Sequence, residues 1–447
     1  MPSKKNLRMV RGEVPGPKAR AVIRRTSKVV SPSISRDLPL VVESAHGSLV
    51  TDVDGNKFID FSSGIAVLST GSTHPDVVAA AKKQLEKFIH FSYTDFYYEN
   101  LVTLAEKLCG LAPGEWEKMV YWGNSGAEAN EAAMKLARNY TKRPLYLAHS
   151  GAFHGRTMGT LGLTGSKPIQ RKGTFPLVPE VVHFPFPYCY RCPWKQTFPE
   201  CDYYCVDYFK EQYLDKFVPV EDVAAYFFEP FQGEGGYVLP PPEYFEKMSF
   251  LRKEGVLFVA DEVQTGIGRS GKFFAVEHYG LEPDIISVAK GLASGMPLGG
   301  IVAKAEIMRS WVPGQHASTF GANPVAVEAA LATLEVISSE GLMENAVKMG
   351  RVAMKRLEEM KERYEIVGDV RGKGLFIGVE IVKTKKGKER GVKESQAITK
   401  ACFEDGLILI TAGRNTLRVI PPLNVAREEL EEGLDVLESA IAKVDSA

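Results

Sequence analysis

Residues 256–266 read Val-Leu-Phe-Val-Ala-Asp-Glu-Val-Gln-Thr-Gly. The first five form a short apolar run, which predicts a fully buried strand of a parallel sheet. The strand runs directly into Asp261, so a carboxylate stands at the carboxyl end of an otherwise apolar segment. An ionised carboxylate there needs a cationic partner, because an unpaired buried charge is very costly. Ligands of open α/β sheets bind beyond the carboxyl ends of the strands, so this stretch predicts a sheet and a site together.

Similar apolar runs lie on both sides of this stretch. They are Met119–Trp122, Pro144–Ala148, Val223–Phe228, Ile285–Ala289 and Gly299–Ala303. Helical patterns lie between them, at Ala127–Tyr140 and Pro241–Lys253. Strands that alternate with crossover helices predict a mainly parallel sheet covered on both faces, and hence an α/β fold.

The composition is that of an ordinary globular chain. Of 447 residues, 45% are hydrophobic and 25% are charged, which excludes disordered and collagen-like classes. Lys plus Arg equals Asp plus Glu at 55 each, so no overall positive field draws in nucleic acid or an anionic membrane. No apolar stretch is long enough to span a bilayer, and the N-terminus lacks the apolar core of a secretory signal. We expect a cytoplasmic protein without nucleic-acid or membrane partners.

The chain is predicted to have three parts. Residues 1–70 contain a basic N-terminal segment and a hairpin around Asp52–Asn56, residues 71–324 form the large sheet domain, and residues 325–447 form a smaller α+β domain. The basic segment is predicted to be an ordered arm rather than a transit peptide, because Pro15 and Pro17 interrupt any amphipathic helix. The elements predicted for the last part are helices at Val325–Ser339, Leu342–Arg363 and Ala426–Lys443, and strands at Ile366–Arg371, Leu375–Ile381 and Leu417–Ile420.

Three further features suit ligand binding. Lys290 follows a predicted strand, so that it and Asp261 stand at equivalent strand ends, where they either pair as a plain salt bridge or flank a ligand. Ser125–Ala127 opens a helix, whose free backbone N–H groups make a phosphate seat, although the same turn is also an ordinary N-cap. Phe153–Thr157 supplies an aromatic face and, in Arg156, a guanidinium suited to carboxylates.

Taken together, these segments resemble the class III pyridoxal-phosphate aminotransferases, and the resemblance runs over nearly the whole chain. It is carried by Gly71–Pro75, Asn124–Glu131, Phe153–Thr157, Glu229–Gly236, Asp261–Gly268, Lys290-Gly291, Ser318–Pro324 and Arg418–Leu423. The resemblance implies the fold of type I PLP-dependent transferases, with pyridoxal 5'-phosphate as cofactor. It also implies a homodimer whose two sites each borrow residues from the neighbouring subunit, and it leaves open whether dimers pair further.

The resemblance implies cofactor-binding roles at nine positions. Lys290 holds the cofactor as a Schiff base, and Asp261 partners its pyridine nitrogen, which keeps the ring protonated. Ser125, Gly126 and Ala127 bind the phosphate, and Thr319 reaches it from the other subunit. Phe153 and His154 lie at the ring, and Gln264 lies at the phenolic oxygen. Taken individually, each of these residues could also serve a purely structural purpose, in a turn, in core packing or at the surface. Glu229 is either an orienting carboxylate or a plain capping or ion-pair residue.

Substrate binding is assigned by the same resemblance to Ile65, Arg156, Glu234 and Arg418. Arg156 matches an arginine that binds a substrate carboxylate. Arg418 matches a second arginine, which Glu234 screens when an ω-amine binds and releases for the α-carboxylate of 2-oxoglutarate; a permanent ion pair is the alternative. Ile65 stands where 4-aminobutyrate enzymes carry isoleucine and ornithine enzymes carry tyrosine, which leans weakly away from ornithine.

The implied activity is transfer of an amino group from 4-aminobutyrate or another amino acid to an oxo acid such as 2-oxoglutarate. The alternative is an amino-acid racemase, because archaeal members of this fold include racemases. Racemisation requires a second acid or base on the face of the reacting carbon opposite Lys290. Glu234 could supply it, and sequence position does not decide which face it occupies.

Two segments depart from the family pattern. Gly71-Ser72-Thr73-His74 replaces the usual Gly-His-x-His, and an insert at residues 186–206 holds four of the six cysteines. These are Cys189, Cys192, Cys201 and Cys205. The spacing within each pair, Cys189 with Cys192 and Cys201 with Cys205, is typical of metal-binding knuckles. Structural zinc, disulfides and free, mostly buried thiols are three alternative states for these cysteines. We assign no catalytic role to the insert and no metal to the active site.

Overall fold

The structure is a computed structural model that describes residues 7–177 and 180–447. Its strands are β1 (Val42–His46), β2 (Leu49–Asp52), β3 (Lys57–Asp60), β4 (Lys118–Gly123), β5 (Leu145–Ser150), β6 (Val181–Pro185), β7 (Val223–Phe228), β8 (Leu257–Asp261), β9 (Ile285–Val288), β10 (Gly299–Lys304), β11 (Val367–Lys373), β12 (Phe376–Ile381), β13 (Leu407–Ile408), β14 (Ile410–Ala412) and β15 (Thr416–Val419).

The helices complete the element order. They are α1 (Pro17–Val29), α2 (Ser63–Ala66), α3 (Pro75–Lys87), α4 (Glu99–Leu111), α5 (Gly126–Thr141), α6 (Met158–Leu163), α7 (Pro168–Arg171), α8 (Tyr204–Phe209), α9 (Tyr244–Met248), α10 (Phe250–Lys253), α11 (Ala305–Met308), α12 (Pro324–Ser339), α13 (Leu342–Arg363), α14 (Val392–Glu404) and α15 (Arg427–Asp445). Among the described residues, no helix has both the length and the apolar character needed to cross a membrane.

Contacts group the chain into two units, residues 1–75 with 336–447, and residues 76–335. The chain leaves the first unit after residue 75 and returns to it after residue 335. The predicted three-part division, with boundaries at residues 70 and 324, stays a prediction.

The unit of residues 76–335 is built on a seven-stranded sheet of order β4-β10-β9-β8-β7-β5-β6. The strands from β9 to β6 pair in parallel, whereas β10 is antiparallel to both of its neighbours. Only residues 289–298 connect β9 to β10, and a parallel crossover needs a dozen or more residues, so this strand has to run back. The prediction of an α/β fold with a mainly parallel sheet is confirmed.

Complete burial of the middle strands explains why they read as continuous apolar runs. Every residue of β7 and of β8 is buried. Helix α5 covers one face of the sheet with a row of small side chains, among them Ala129, Ala132 and Ala133, which are fully inaccessible to solvent. Small side chains allow the helix to approach the strands closely, and this fixes the start of α5 near the strand ends.

One predicted helix is shorter than expected and is divided. The pattern at Pro241–Lys253 predicted a single helix, but the structure has α9 and α10, separated at Ser249. Three consecutive prolines, residues 240–242, precede α9, and each proline lacks the N–H group and restricts the residue before it. Helical hydrogen bonding therefore begins only after them.

The unit of residues 1–75 with 336–447 contains two four-stranded sheets. Their orders are β1-β2-β3-β13 and β11-β12-β15-β14, and the second sheet is entirely antiparallel. The expected interruption of the basic arm by proline is wrong in part: α1 begins at Pro17, where a missing N–H costs nothing in the first turn. Ahead of it, the backbone N–H groups of Leu7 and Arg8 donate to the Glu432 carboxylate.

Candidate functional site

The carboxyl ends of four parallel strands meet at one edge of the seven-stranded sheet, in the order β9, β8, β7, β5. Asp261 is the last residue of β8, and Glu229 directly follows β7. Lys290 lies two residues beyond the end of β9, and His154 four residues beyond the end of β5. Parallel pairing therefore brings residues distant in sequence to one edge, where such sheets bind ligands.

Asp261 is 4% exposed and accepts hydrogen bonds on both carboxylate oxygens. Its Oδ2 accepts from His154 Nδ1 at 2.8 Å and from Asn130 Nδ2 at 2.7 Å. Its Oδ1 accepts from the backbone N–H of Val263 at 3.0 Å. The Asn130 amide also donates to the backbone oxygen of His154 at 2.8 Å, so it holds both members of the pair. The cationic partner that the sequence requires for Asp261 is His154.

The charges of this cluster favour a protonated His154. Burial opposes the charged imidazolium, but the hydrogen bond and charge of Asp261, and then the charge of Glu229, raise the pKa of His154 above its usual value. Burial raises the pKa of Glu229 to about 7, although the His154 charge and two backbone N–H groups act in the opposite direction. Glu229 therefore changes charge near neutral pH.

Glu229 also connects two loops at the sheet edge. Its Oε1 accepts from the backbone N–H of Phe153 at 2.9 Å, and its Oε2 accepts from the backbone N–H of Gly233 at 2.8 Å. The carboxylate is 5% exposed, so both bonds are shielded from water. Of the two interpretations left open by the sequence, these contacts favour the orienting carboxylate.

Ser125–Ala127 forms the tightly confined start of α5. Ser125 is the N-cap, and its Oγ accepts from the backbone N–H of Glu128 at 3.2 Å. A Cβ added to Gly126 would lie 2.7 Å from Val263 Cγ1, and one added to Gly299 would lie 2.5 Å from the Ser125 backbone oxygen. The first N–H groups of a helix have no acceptor within the helix, so this turn is both an N-cap and a backbone-lined seat for an anion.

Two further predicted residues belong to the surroundings of the glycine-rich segment 232–236: Gln264 lies beside it and Glu234 lies within it. Gln264 Oε1 accepts from the Tyr237 hydroxyl at 2.6 Å, and a Cβ on Gly233 would lie 2.7 Å from the same oxygen. Glu234 Oε1 forms an ion pair with Lys167 Nζ at 2.6 Å, with side chains 17% and 32% exposed. The glycine thus permits close approach of this segment to Gln264, while a lysine fixes the direction of the Glu234 carboxylate.

Lys290 has a left-handed backbone conformation, with φ of 44°. It begins a short 3-10 turn over Lys290–Ala293 and is half-buried. Non-glycine residues pay strain energy in this region, and such strained positions cluster at active sites and ligand clamps. The backbone at Lys290 is therefore a second, independent indication of function at this strand end.

The remaining predicted residues of this unit are more exposed. Phe153 is half-buried, and the Arg156 guanidinium lies 5.8 Å from the centre of its ring. Arg156 is exposed to solvent. Thr319 is exposed in the loop before α12 and next to Ser318, whose backbone oxygen accepts from the Thr94 hydroxyl at 3.1 Å.

Ile65 and Arg418 belong to the unit of residues 1–75 with 336–447. Ile65 is 49% exposed and has φ of 69°, a strained conformation for a β-branched residue. Arg418 lies on β15, is 5% exposed, and donates from Nε to the backbone oxygen of Thr411 at 2.8 Å. Their assignment to substrate binding stays a prediction.

Sequence reasoning missed three residues that contact the predicted ones. They are Asn130 at Asp261, Tyr237 at Gln264 and Lys167 at Glu234. Asn130 could have been found, because it is a polar side chain on the alanine-lined inner face of α5. A polar residue at such a position needs a buried partner. Lys167 carries no comparable signal, since surface lysines are common.

The residues present fit a phosphate-bearing pyridine cofactor. A carboxylate has about four lone-pair directions, and Asp261 uses three, which leaves one for a protonated ring nitrogen. Among the described residues, His154 Nε2 and Asn130 Oδ1 are buried polar atoms without a protein partner. Gly126 packs against Val263 with no room for a Cβ, and the free N–H groups at this helix start suit a phosphate.

Comparisons with known proteins identify the family of the chain. The family "Aminotransferase class-III" matches residues 30–441. The chain is 43% identical to the leucine/methionine racemase of Thermococcus litoralis, with 95% of this chain and 96% of that protein covered. It is 43% identical to the alanine/serine racemase of Pyrococcus horikoshii, with 96% and 91% covered. It is 38% identical to a probable 4-aminobutyrate aminotransferase of Bacillus subtilis, with 94% and 96% covered.

Solved structures give the same result for the fold. An ω-transaminase from Thermomicrobium roseum superposes with a TM-score of 0.88 at 32% identity, covering 95% of this chain and 98% of that one. An amine transaminase from an uncultivated Pseudomonas species, in its PLP-bound form, has a TM-score of 0.84 at 29% identity, covering 90% and 95%. The chain therefore belongs to the class III aminotransferase family, whose cofactor is pyridoxal 5'-phosphate.

Proposed function

We propose that this enzyme is an aminotransferase that moves an amino group from an amino acid, such as 4-aminobutyrate or another ω- or α-amino acid, to an oxo acid such as 2-oxoglutarate. When bound, pyridoxal 5'-phosphate supplies an electron sink that stabilises negative charge on the substrate carbon. In this proposal the Lys290 amine would hold the cofactor and, once released by the substrate amine, would move a proton between the substrate carbon and the cofactor. Its position after β9, with strained backbone, supports that role.

Asp261 would bind the protonated ring nitrogen. His154 and Asn130 fix its carboxylate by hydrogen bonds, which would orient it towards a protonated ring nitrogen. The phosphate would lie on the backbone N–H groups of Ser125–Ala127. Phe153 would stack on the ring.

The observation that carries the choice of amino-group transfer is the Glu234–Lys167 ion pair. Transamination requires one pocket to accept two substrates of different charge in turn, so a carboxylate that can exchange cationic partners is useful there. A racemase instead needs Glu234 to donate and accept a proton at the substrate carbon. A carboxylate already engaged by an ammonium at 2.6 Å is better placed to position substrates than to give up a proton.

Amino-acid racemisation is the second candidate, and the 43% identity to two named racemases favours it. It would use the same residues up to the loss of the substrate proton. The difference lies in where a proton is then delivered: in transamination Lys290 would deliver it to a carbon of the cofactor, whereas in racemisation a group on the opposite face would return a proton to the substrate carbon.

One incubation separates the two activities. Holoenzyme is given a single L-amino acid, with and without 2-oxoglutarate, and products are followed by chiral chromatography. Transamination predicts turnover only with the oxo acid, and no more than one equivalent of reaction per site without it. Many turnovers to the D-form without oxo acid would replace the proposal with racemisation.

Variants of the ion pair sharpen the test. Lys167→Met should change the Michaelis constants for the two substrates unequally, whereas Lys172→Met, an exposed lysine nearby, serves as the matched control. Glu234→Gln should leave the transfer of the first amino group measurable if Glu234 only positions substrate. Loss of D-enantiomer formation in Glu234→Gln, with deuterium exchange at the substrate carbon of the L-amino acid retained, would support an acid or base role instead.

We further propose a cytoplasmic homodimer in which Thr319 reaches the phosphate of the neighbouring site. Exposed aromatic residues on unit 76–335, among them Phe91, Phe96, Tyr97 and Phe320, support a protein-covered surface there. Light scattering after size exclusion should give twice the chain mass of 49.2 kDa. A monomer that retains the cofactor at micromolar concentration would contradict the shared site.

A further inference from the structure

The four cysteines of the insert line one narrow cavity in the unit of residues 76–335. The cavity has a volume of about 20 Å³, and its wall includes Cys189, Cys192, Cys201 and Cys205. A space of that size holds one water-sized guest. The two cysteine pairs come from separate turns of the chain, and the fold brings all four residues to the wall of this cavity.

Each cysteine pair lies on a tight turn. At the first pair the N–H of Arg191 donates to the backbone oxygen of Tyr188 at 2.9 Å, and at the second pair the N–H of Tyr204 donates to the backbone oxygen of Cys201 at 2.9 Å. Asp202 and Tyr203, between the second pair, both have positive φ, at 41° and 59°. Two non-glycine residues in this strained region need an external constraint to hold them.

The solvent exposure of these thiols differs from that of a cysteine used for packing. Cys402, in α14, is fully buried in an apolar core, as a structural free thiol usually is. Cys192, Cys201 and Cys205 are only half-buried, and Cys189 is exposed. An ion can therefore reach the cavity from solvent.

The surroundings suit a negatively charged metal–thiolate group. Lys247 lies 5.4 Å from the centre of the Tyr203 ring, which lines the cavity, and Arg191 stands inside the first pair.

We propose that Cys189, Cys192, Cys201 and Cys205 bind one structural Zn²⁺ through four thiolates. The spacing of two and three residues within the pairs is that of closed tetrahedral zinc sites, and thiolate sulfur is a preferred ligand of this ion. No disulfide joins any of the six cysteines, which are all described. No three of the four sulfur atoms lie within 4.8 Å of one another, so binding of one ion by all four would require the two turns to move closer together.

The site would staple a segment that has little regular structure of its own. Between β6 and α8 the described chain contains only a 3-10 turn at Cys189–Arg191. Irregular segments of this length are uncommon without a specific role or constraint. A metal clip across Cys192 and Cys201 would close the eight-residue loop between them.

The test is metal analysis of the full-length holoenzyme, purified without chelator from zinc-supplemented medium. We expect about one zinc per chain in the wild type, and loss of that zinc in Cys192→Ser and in Cys201→Ser. Cys109→Ser, a half-buried thiol outside the cavity, is the matched control and should keep its metal. Removal of the metal should lower the melting temperature of the wild type by about 5 °C or more.

A second measurement does not depend on folding of the variants. Wild-type protein, stripped of metal and titrated with Co²⁺ alone, should develop the visible absorption of tetrahedral cobalt–thiolate with about one equivalent bound per chain. An intact mass lowered by the hydrogens of two disulfides would overturn the proposal. So would four thiols that titrate freely in protein with less than about 0.1 zinc per chain and no cobalt spectrum.

Discussion

Replacement of His154 by leucine tests the electrostatic basis of the proposed cofactor site. His154 is 2% exposed and donates from Nδ1 to Asp261 Oδ2 at 2.8 Å. Leucine has a similar size but neither the donor nor the charge. Asp261 would keep its bonds from Asn130 and Val263, so the carboxylate is not left without partners.

The expected loss follows from that contact. A hydrogen bond to a charged group contributes about 1.5–3 kcal/mol. For a unit of this size, 1 kcal/mol corresponds to a change of roughly 2–4 °C in melting temperature, so the decrease should be about 3–12 °C. His154→Asn restores an N–H donor without a charge, and we expect it to recover part of the decrease.

The pH dependence identifies the cause. The pKa of His154 is raised in the folded protein, so its contribution is fully present below the unfolded value of about 6.5 and is lost as pH rises through the folded value. The difference between the wild type and His154→Leu should therefore be largest near pH 6 and should decrease towards pH 9. Calorimetry of the apo and holo forms across this range measures it, and cofactor absorbance reports retention independently.

His149 provides a matched control with the opposite sign. It is fully buried and bonded to the Tyr226 hydroxyl, and burial, with the His154 charge, lowers its pKa to about 3. A lowered pKa on a base gives stability that is present above about pH 6.5 and is lost as pH falls towards 3. His149→Leu should thus flatten the acid side of the stability profile and leave the alkaline side unchanged.

The reasoning would be refuted if both leucine variants lost the same stability with the same pH profile. That result would mean that each histidine acts through packing alone. It would also be refuted if His154→Leu retained the cofactor as firmly as the wild type, because Asp261 would then need no cation beside it.

Three further substitutions test the site in other ways. Burial raises the pKa of Glu262 to about 7, so ionisation of this side chain lowers the free energy of unfolding as pH rises from about 4.5 to 7. Glu262→Gln should remove up to about 3 kcal/mol of that pH-dependent loss, measured by denaturant unfolding at each pH. Gly126→Ala should reduce cofactor retention at least about tenfold in equilibrium dialysis, because its Cβ would lie 2.7 Å from Val263, and Val263→Ala should restore part of it. Asn130→Asp should lower stability by about 3 kcal/mol or more relative to Asn130→Ala, because it places a second carboxylate against Asp261; equal melting temperatures would contradict this.

The periodicity of the sequence predicted most of the large sheet. Strands buried on both faces, such as β7 and β8, give apolar runs that need no tertiary information to recognise. The direction of β10 could not be predicted in this way, because its run is as apolar as that of its parallel neighbours. Only the length of the connection before it contains that information.

The candidate site was predictable where a residue stands at the end of an element. Asp261 and Lys290 follow apolar runs, and Ser125 precedes a helix, so their positions could be inferred from the sequence. The partners of these residues come from other elements and depend on strand order. His154 was expected beside the cofactor, but its bond to Asp261 requires β5 and β8 to be separated only by β7, which no local pattern records.

Strand order also explains why the charged residues stabilise one another. Lys290, Asp261, Glu229 and His154 follow β9, β8, β7 and β5, so cationic and anionic side chains are distributed over one row of adjacent strand ends. The Asp261 charge raises the pKa of His154, and the His154 charge limits the rise at Glu229. His154 and Glu229 are therefore electrostatically coupled, and both are buried beside Asp261. The cluster therefore acts as a unit, and single substitutions within it should give non-additive effects when they are combined.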